Sequence, residues 1–488
     1  MSKLNRRDLI VSLASAAWSL SASCSYAEPA ALIADIDLLE RIYETLHPGL
    51  YRYQTPAQFK AKCATMKLEL KATSGVRAQY LALSRLLAEV KCGHTYANFF
   101  NQSKAISSDI VDPANKLPFH FLWMGSKMVV SNNPLNLDGL KPGDEIVAIN
   151  GVASGVIEAR LLPYVRADGS NNDKRRALLS VTGADRIETF DVLYPLVFPG
   201  DADHFRLTIR APITGRLKTV RVAAIDQKAR EGIMPTALRP DTPEYWALSW
   251  PEAKTAVMTM PGWAMYNVTW DWRARITAMF DEMATREATG LVIDLRANEG
   301  GNDCGYALIS HLIDQDLPVF PRAERRVRFR STPDDLNPYL DTWDRSFEHL
   351  GEGADDLKNG FYRLKSDEND IKSISPQGPR FKGKVIVLSS AQNSSATFQF
   401  IDLMRRSGLA RIYGQPTGGN QRGINGGSFF FVRLPHSGLE ADLPLVGFFP
   451  LDPKPNAGLA PDVRIDPMIE DVANGYDRVL QRALSDLT

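Results

Sequence analysis

The chain has 488 residues, 44% of them hydrophobic, which is more than one core normally serves, so two or three globular domains are expected. Its 57 lysines and arginines balance 57 aspartates and glutamates. That level balance removes the electrostatic footprint of a nucleic-acid binder or of a polybasic membrane binder.

The N-terminus joins a basic start containing Arg6-Arg7 to an apolar stretch from Leu9 to Leu20 and to small residues ending at Ala27. This is the pattern of a signal peptide over residues 1–27, and the arginine pair resembles a twin-arginine export signal. Cleavage after Ala27 is expected. Lipidation of Cys24 is the alternative, although Ser21 stands where a lipidation signal carries leucine. No later stretch approaches the roughly 20 apolar residues of a spanning helix, so the mature protein is expected to be periplasmic or secreted, without an integral membrane segment. Cys63, Cys92 and Cys304 then remain, a sparse, odd set unlike a disulfide scaffold or a zinc site. A Cys63–Cys92 bridge and buried free thiols are both compatible with it.

From Ala31 to about Phe100, apolar residues such as Leu38, Leu39, Ile42, Tyr43 and Leu46 recur at helical spacing, which predicts a helical domain over 28–112. The period is lost at Lys91-Cys92-Gly93-His94-Thr95, a turn. Residues 113–225 alternate apolar and polar residues, as in Phe205–Arg210, and predict β-strands. Within them Leu137–Val152 contains Pro142-Gly143-Asp144, an alternating strand and the tight turn Asn150-Gly151. This run resembles the PDZ signature, with an apparent insertion around Asp168–Asp203. The resemblance implies peptide binding by strand addition at a sheet edge; a structural β-domain with a closed groove is the other reading. Over 226–488 strand and helix patterns alternate, which argues for an α/β core, and the charged, Pro- and Gly-rich stretch about 322–382 reads as an excursion or lid.

The sharpest local signal is Lys384-Val385-Ile386-Val387-Leu388 running through Asn393-Ser394-Ser395-Ala396 into a helical pattern. Ser395 is thereby placed near a helix N-terminus, where unpaired N–H groups favour a developing oxyanion; a simple helix cap is the structural reading. A second strand, Leu291–Leu295, leads through Arg296-Ala297-Asn298-Glu299 into the pair Gly300-Gly301, which lets backbone N–H groups approach a ligand.

With Gly414-Gln415-Pro416-Thr417-Gly418-Gly419, these elements resemble the tail-specific (C-terminal processing) serine proteases. The resemblance implies an α/β multidomain protein with an N-terminal helical domain, a PDZ-like β domain and a crotonase-like catalytic core. It implies Ser395 as nucleophile, an oxyanion hole from the N–H of Ala396 and of Gly300 or Gly301, a peptide or protein substrate, and no metal or cofactor. The Ser/Lys branch places lysine where this chain has Asn420, which cannot accept a proton. The tricorn-like branch draws a histidine from Gly-His-Thr, here Gly93-His94-Thr95, so His94 is expected as the base, with His120, His311 and His436 as runners-up. An acid should orient the imidazole: Asp452, which precedes Gly458-Leu459-Ala460-Pro461-Asp462, is expected there, with Glu440 and Asp442 open. The expected activity is exported serine endopeptidase. A ligand-binding protein on an inactive scaffold and an ester or acyl hydrolase are the alternatives.

Overall fold

In the computed structural model, residues 29–72, 75–200, 203–319, 323–365 and 372–487 are described. The expected signal segment 1–27, with its arginine pair and Cys24, lies outside them. Among the described residues no helix is long and apolar enough to cross a membrane. The fold is a mixed α/β, multidomain one.

The chain opens on α1 (Pro29–Leu46), α2 (Pro56–Ala72) and α3 (Val76–Ala88). Leu32, Ile36, Leu39, Tyr43 and Leu46 form one buried stripe on α1, at the three- and four-residue spacing that puts side chains on a single helix face. A five-strand path follows, β1 (His120–Met124), β2 (Lys127–Asn132), β3 (Glu145–Ile149), β4 (His204–Arg210) and β5 (Leu217–Ala223), antiparallel throughout and paired in that order. Between β3 and β4 lies the helix α4 (Asn172–Leu179), within the stretch read as an insertion. The outer edge of β1 is closed, because Phe121 and Val181 exchange backbone hydrogen bonds of 2.9 and 3.0 Å. Its N–H and C=O groups there are already satisfied.

The remainder runs through β6 (Ala247–Glu252), β7 (Thr255–Thr259), α5 (Trp272–Thr285), β8 (Gly290–Asp294), α6 (Cys304–Ser310), β9 (Ala323–Val327), β10 (Lys384–Ser389), α7 (Ser395–Arg406), β11 (Arg411–Gly414), β12 (Asn425–Arg433), β13 (Glu440–Pro450) and α8 (Arg478–Leu487). One sheet has the order β6-β7-β8-β10-β11 followed by the short strand Val463–Arg464, parallel except where β6 meets β7. Buried on both faces, β8 and β10 are continuous apolar runs. Leu388 of β10 pairs with Asp294 of β8, so the turns that follow the two strands leave the sheet side by side. In open parallel sheets that carboxyl end is where ligand crevices form.

The second sheet is antiparallel: Leu340–Asp341, β12, β13, β9, Tyr362–Arg363 and Asp355–Asp356. The 322–382 stretch thus lies outside the parallel sheet and builds part of a second one. Its strands are short and charged, Ala-Glu-Arg-Arg-Val in β9, and give no periodic signal. A single apolar core joins α1–α3 and β1–β4 to Phe430 and Val432 of β12 and Leu443 and Leu445 of β13. Cys63, Cys92 and Cys304 are all buried free thiols, so the Cys63–Cys92 bridge is not formed.

Candidate active site

Ser395 is the first residue of α7, six positions after β10 ends. Its φ is +49°, a left-handed conformation that costs a non-glycine L-residue free energy and survives where the surroundings impose it. The surroundings are a web of hydrogen bonds to the turn after β8. Asn393 Nδ2 donates to Leu295 O (2.6 Å) and Asn298 O (3.0 Å), Ser390 Oγ to Arg296 O (2.5 Å), and Ser394 Oγ to Glu299 O (3.0 Å). From the first turn of α7, Thr397 Oγ1 donates to Asn298 Oδ1 at 2.7 Å.

Gly300 and Gly301 have φ values of +112° and +135°. A Cβ on Gly300 would stand 2.9 Å from the Ser395 Cβ and 3.0 Å from the Ala396 nitrogen, so only glycine lets this turn lie against the start of α7. The N–H of Gly300 donates to Asn298 Oδ1 at 2.9 Å, and its carbonyl accepts from Trp263 N at 3.2 Å. Of the two glycines expected to supply an oxyanion donor, Gly300 has thus committed its N–H within the turn. Gly301, against the Trp263 backbone, carries no such bond among the described residues.

His94 lies in the turn after α3 and lines the same cleft as Ser395, Ala396, Gly300 and Gly301. The turn is fixed on both sides. His47 Nδ1 accepts from Gly49 N at 3.0 Å, which leaves its Nε2–H to donate to Thr95 Oγ1 at 2.8 Å. Gly93 N donates to Asp168 Oδ1 at 2.8 Å, and Gly93 O accepts from Arg166 Nη1 at 2.7 Å. The His94 ring tilts over Phe429 with centroids 5.8 Å apart, and its Nδ1 is buried without a hydrogen-bond partner. Burial holds the imidazole pKa below its ordinary value, opposed by the negative charge of Asp168.

The other expected residues fall elsewhere. Asp452 is exposed on the loop after β13 and does not line the cleft that holds His94. Asp442 accepts from Asn98 (2.8 Å) and Asn101 (3.0 Å) and so anchors the segment after His94 to β13, whereas Glu440 pairs with Arg433 of β12 at 3.2 Å. His120 is buried, with its Nε2 unpartnered, against Gly183. His311 stacks on Phe280 at 4.4 Å and bonds Pro379 O, and His436 sits on an exposed turn. The carboxylate nearest in effect to His94 is Asp168, 2% exposed, which sequence reasoning passed over. It stands at the edge of the apparent insertion and 75 positions from Gly93, with no local pattern to mark it. Asn420, at the position of the missing lysine, is fully buried; its Nδ2 donates to Asp168 O at 3.3 Å and Asn456 Oδ1 at 2.8 Å.

A lysine does reach the neighbourhood. Lys174 of α4, 1% exposed, sets its Nζ 2.6 Å from Glu299 Oε1, 2.9 Å from Gln392 O and 3.2 Å from Gln392 Oε1. Burial pushes the Lys174 pKa down and the Glu299 carboxylate opposes it, while Gln392 takes the hydrogen bonds of the amine, so this side chain is tied to the loop before Ser395.

Residues 254–431 match the family model of peptidase family S41. No curated protein matches the chain. Among solved structures, mature CPAF complexed with lactacystin is similar over 94% of this chain and 97% of its own, at 13% identity and a TM-score of 0.62. Mature CPAF alone is similar over 94% and 99%, at 15% identity and a TM-score of 0.61. At such identities the likeness is one of fold.

Proposed function

The chain is a serine-type peptidase of family S41, and from that premise we propose that Ser395 attacks the substrate carbonyl while His94 accepts its proton. The Ser395 oxygen bonds to the carbonyl carbon, and its proton passes to the imidazole. The oxyanion formed is held by the N–H groups of Ala396 and Gly301. His94 then protonates the departing amine, and water repeats the sequence on the acyl-enzyme. Asp168 rather than Asp452 is the carboxylate that stabilises the imidazolium. Because burial lowers the His94 pKa, the neutral, proton-accepting form persists as pH falls below the ordinary histidine value near 6.5.

The observation that carries this reading is the strained backbone of Ser395, set at a helix mouth against a glycine turn in the cleft that also holds His94. The cleft measures about 2560 Å³, well beyond the 300–1,000 Å³ of a small-molecule pocket, which favours a polypeptide over a small ester. The proposal extends to an N-terminal helical domain over 28–112, a PDZ-like domain over 113–225 and a crotonase-like core over 226–488. It also includes export to the periplasm on the 1–27 signal.

A fluorophosphonate probe tests the nucleophile. The wild type is expected to be labelled at Ser395 and Ser395→Ala to stay unlabelled; a silent wild type, or label persisting in the variant, assigns the scaffold to ligand binding instead. A peptide-library digest then separates peptide from ester substrates.

A further inference from the structure

The groups that must act together come from three separate stretches of chain: His94 from the turn after α3, the glycine pair from the turn after β8, and Ser395 from the turn after β10. Glu299, directly before Gly300, is where the three meet. Its carbonyl accepts from Ser394 Oγ at 3.0 Å. Its carboxylate oxygen Oε1 lies 3.2 Å from Arg166 Nη2 and 2.6 Å from Lys174 Nζ. Each cation reaches onward. Arg166 Nη1 donates to Gly93 O at 2.7 Å, one residue before His94, with its guanidinium 4.5 Å from the Tyr96 ring centroid. Lys174 Nζ donates to Gln392 O at 2.9 Å, three residues before Ser395.

Resting on the serine-peptidase reading above, we propose that Glu299 is a positioning residue whose carboxylate, gripped by Arg166 and Lys174, holds the base, the oxyanion turn and the nucleophile loop in register. The geometry suits the role: a fork such as guanidinium can bridge two acceptors at fixed angles, and the ammonium can bind two turns at once. The charge balance suits it too. Burial pushes the Glu299 carboxyl up, but Arg166 and Lys174 outweigh it and hold the group at about 2. Removing that charge strands two cations beside His94. Four charged groups then act on the imidazole: Asp168 and Glu299 favour its protonated form, and Arg166 and Lys174 oppose it.

The test uses the full mature chain and two variants. Glu299→Gln keeps the shape and deletes the charge. Arg166→Lys keeps the charge but cannot span Gly93 O and Glu299 together. Both variants are expected to retain the far-UV circular dichroism of the wild type while fluorophosphonate labelling of Ser395 slows about tenfold or more. In Glu299→Gln the His94 imidazole, followed by NMR, is expected to titrate at least about half a pH unit lower than in the wild type. In Arg166→Lys it should move less. A His94 midpoint unmoved by Glu299→Gln, or a labelling rate unchanged in both variants, overturns the proposal. The titration needs no catalysis, so a wild type that fails to label defeats the peptidase reading while the NMR midpoint still decides the role of Glu299.

Discussion

Gly300 has no room for a side chain: a methyl group there meets Ser395 Cβ at 2.9 Å and Ala396 N at 3.0 Å, at a φ of +112°. Gly300→Ala is therefore expected to slow Ser395 labelling about 100-fold by displacing the turn proposed to hold the oxyanion. It should also destabilise the fold by about 1–3 kcal/mol. Labelling kinetics and urea unfolding check the two effects; wild-type values for both would show that the turn tolerates a methyl. His47 gives a pH prediction. Burial, reinforced by Arg52, lowers its folded pKa to about 3. Below 6.5 the unfolded chain therefore binds a proton that the folded one refuses. Stability is full above pH 6.5 and falls by roughly 1.4 kcal/mol per pH unit from His47 alone as pH drops toward 3. Urea unfolding from pH 8 to 5 should show this slope reduced in His47→Gln. At this scale the sequence marked Ser395, His94 and the glycine pair as candidates, because each sits in a short pattern of its own, and all of them line one cleft. Asp168 and Lys174 stayed hidden because the contacts they make form only once distant turns have met.

Among the elements, the strands β7, β8 and β10 and the helix α5 could be read directly, since buried parallel strands are unbroken apolar runs and α5 keeps a helical period. The antiparallel sheet could not, because β9 and the two-residue strands beside it alternate nothing. The Asp-Leu-Arg segment at the end of β8 also hid its purpose. Arg296 lies between Asp294 (2.6 Å) and Asp477 (2.6 Å), and Asp477 Oδ1 accepts from Leu480 N in the first turn of α8. The arginine ties the strand that leads into the Gly300-Gly301 turn to the C-terminal helix. Arg296→Met leaves two partly buried carboxylates facing each other and should cost about 2–3 kcal/mol in urea unfolding. A loss under half of that would mean the pairs are replaceable by water.

At the scale of the molecule, one apolar core runs across the expected boundaries. The core that begins at Leu32 on α1 ends at Leu445 on β13, and Tyr43 Oη donates to Asp442 O at 2.9 Å across 399 positions. Residues 226–488 expressed alone would bare Phe430, Val432, Leu443 and Leu445 to water, and such a patch drives association. That fragment is expected to elute as aggregate in size-exclusion chromatography. A monodisperse monomer would show that the catalytic half is self-sufficient. Composition foresaw several folding units but not their fusion, because apolar stripes announce that they will be covered and not by what.

The left-handed backbone at Ser395 also bears on how such a protein changes over generations. Glycine occupies that conformation without penalty, so a Ser395→Gly change relaxes the fold as it removes the hydroxyl. With Ser395 as the proposed nucleophile, selection for thermal robustness alone would drift toward silent descendants, and only continued demand for turnover would keep an awkward residue in place.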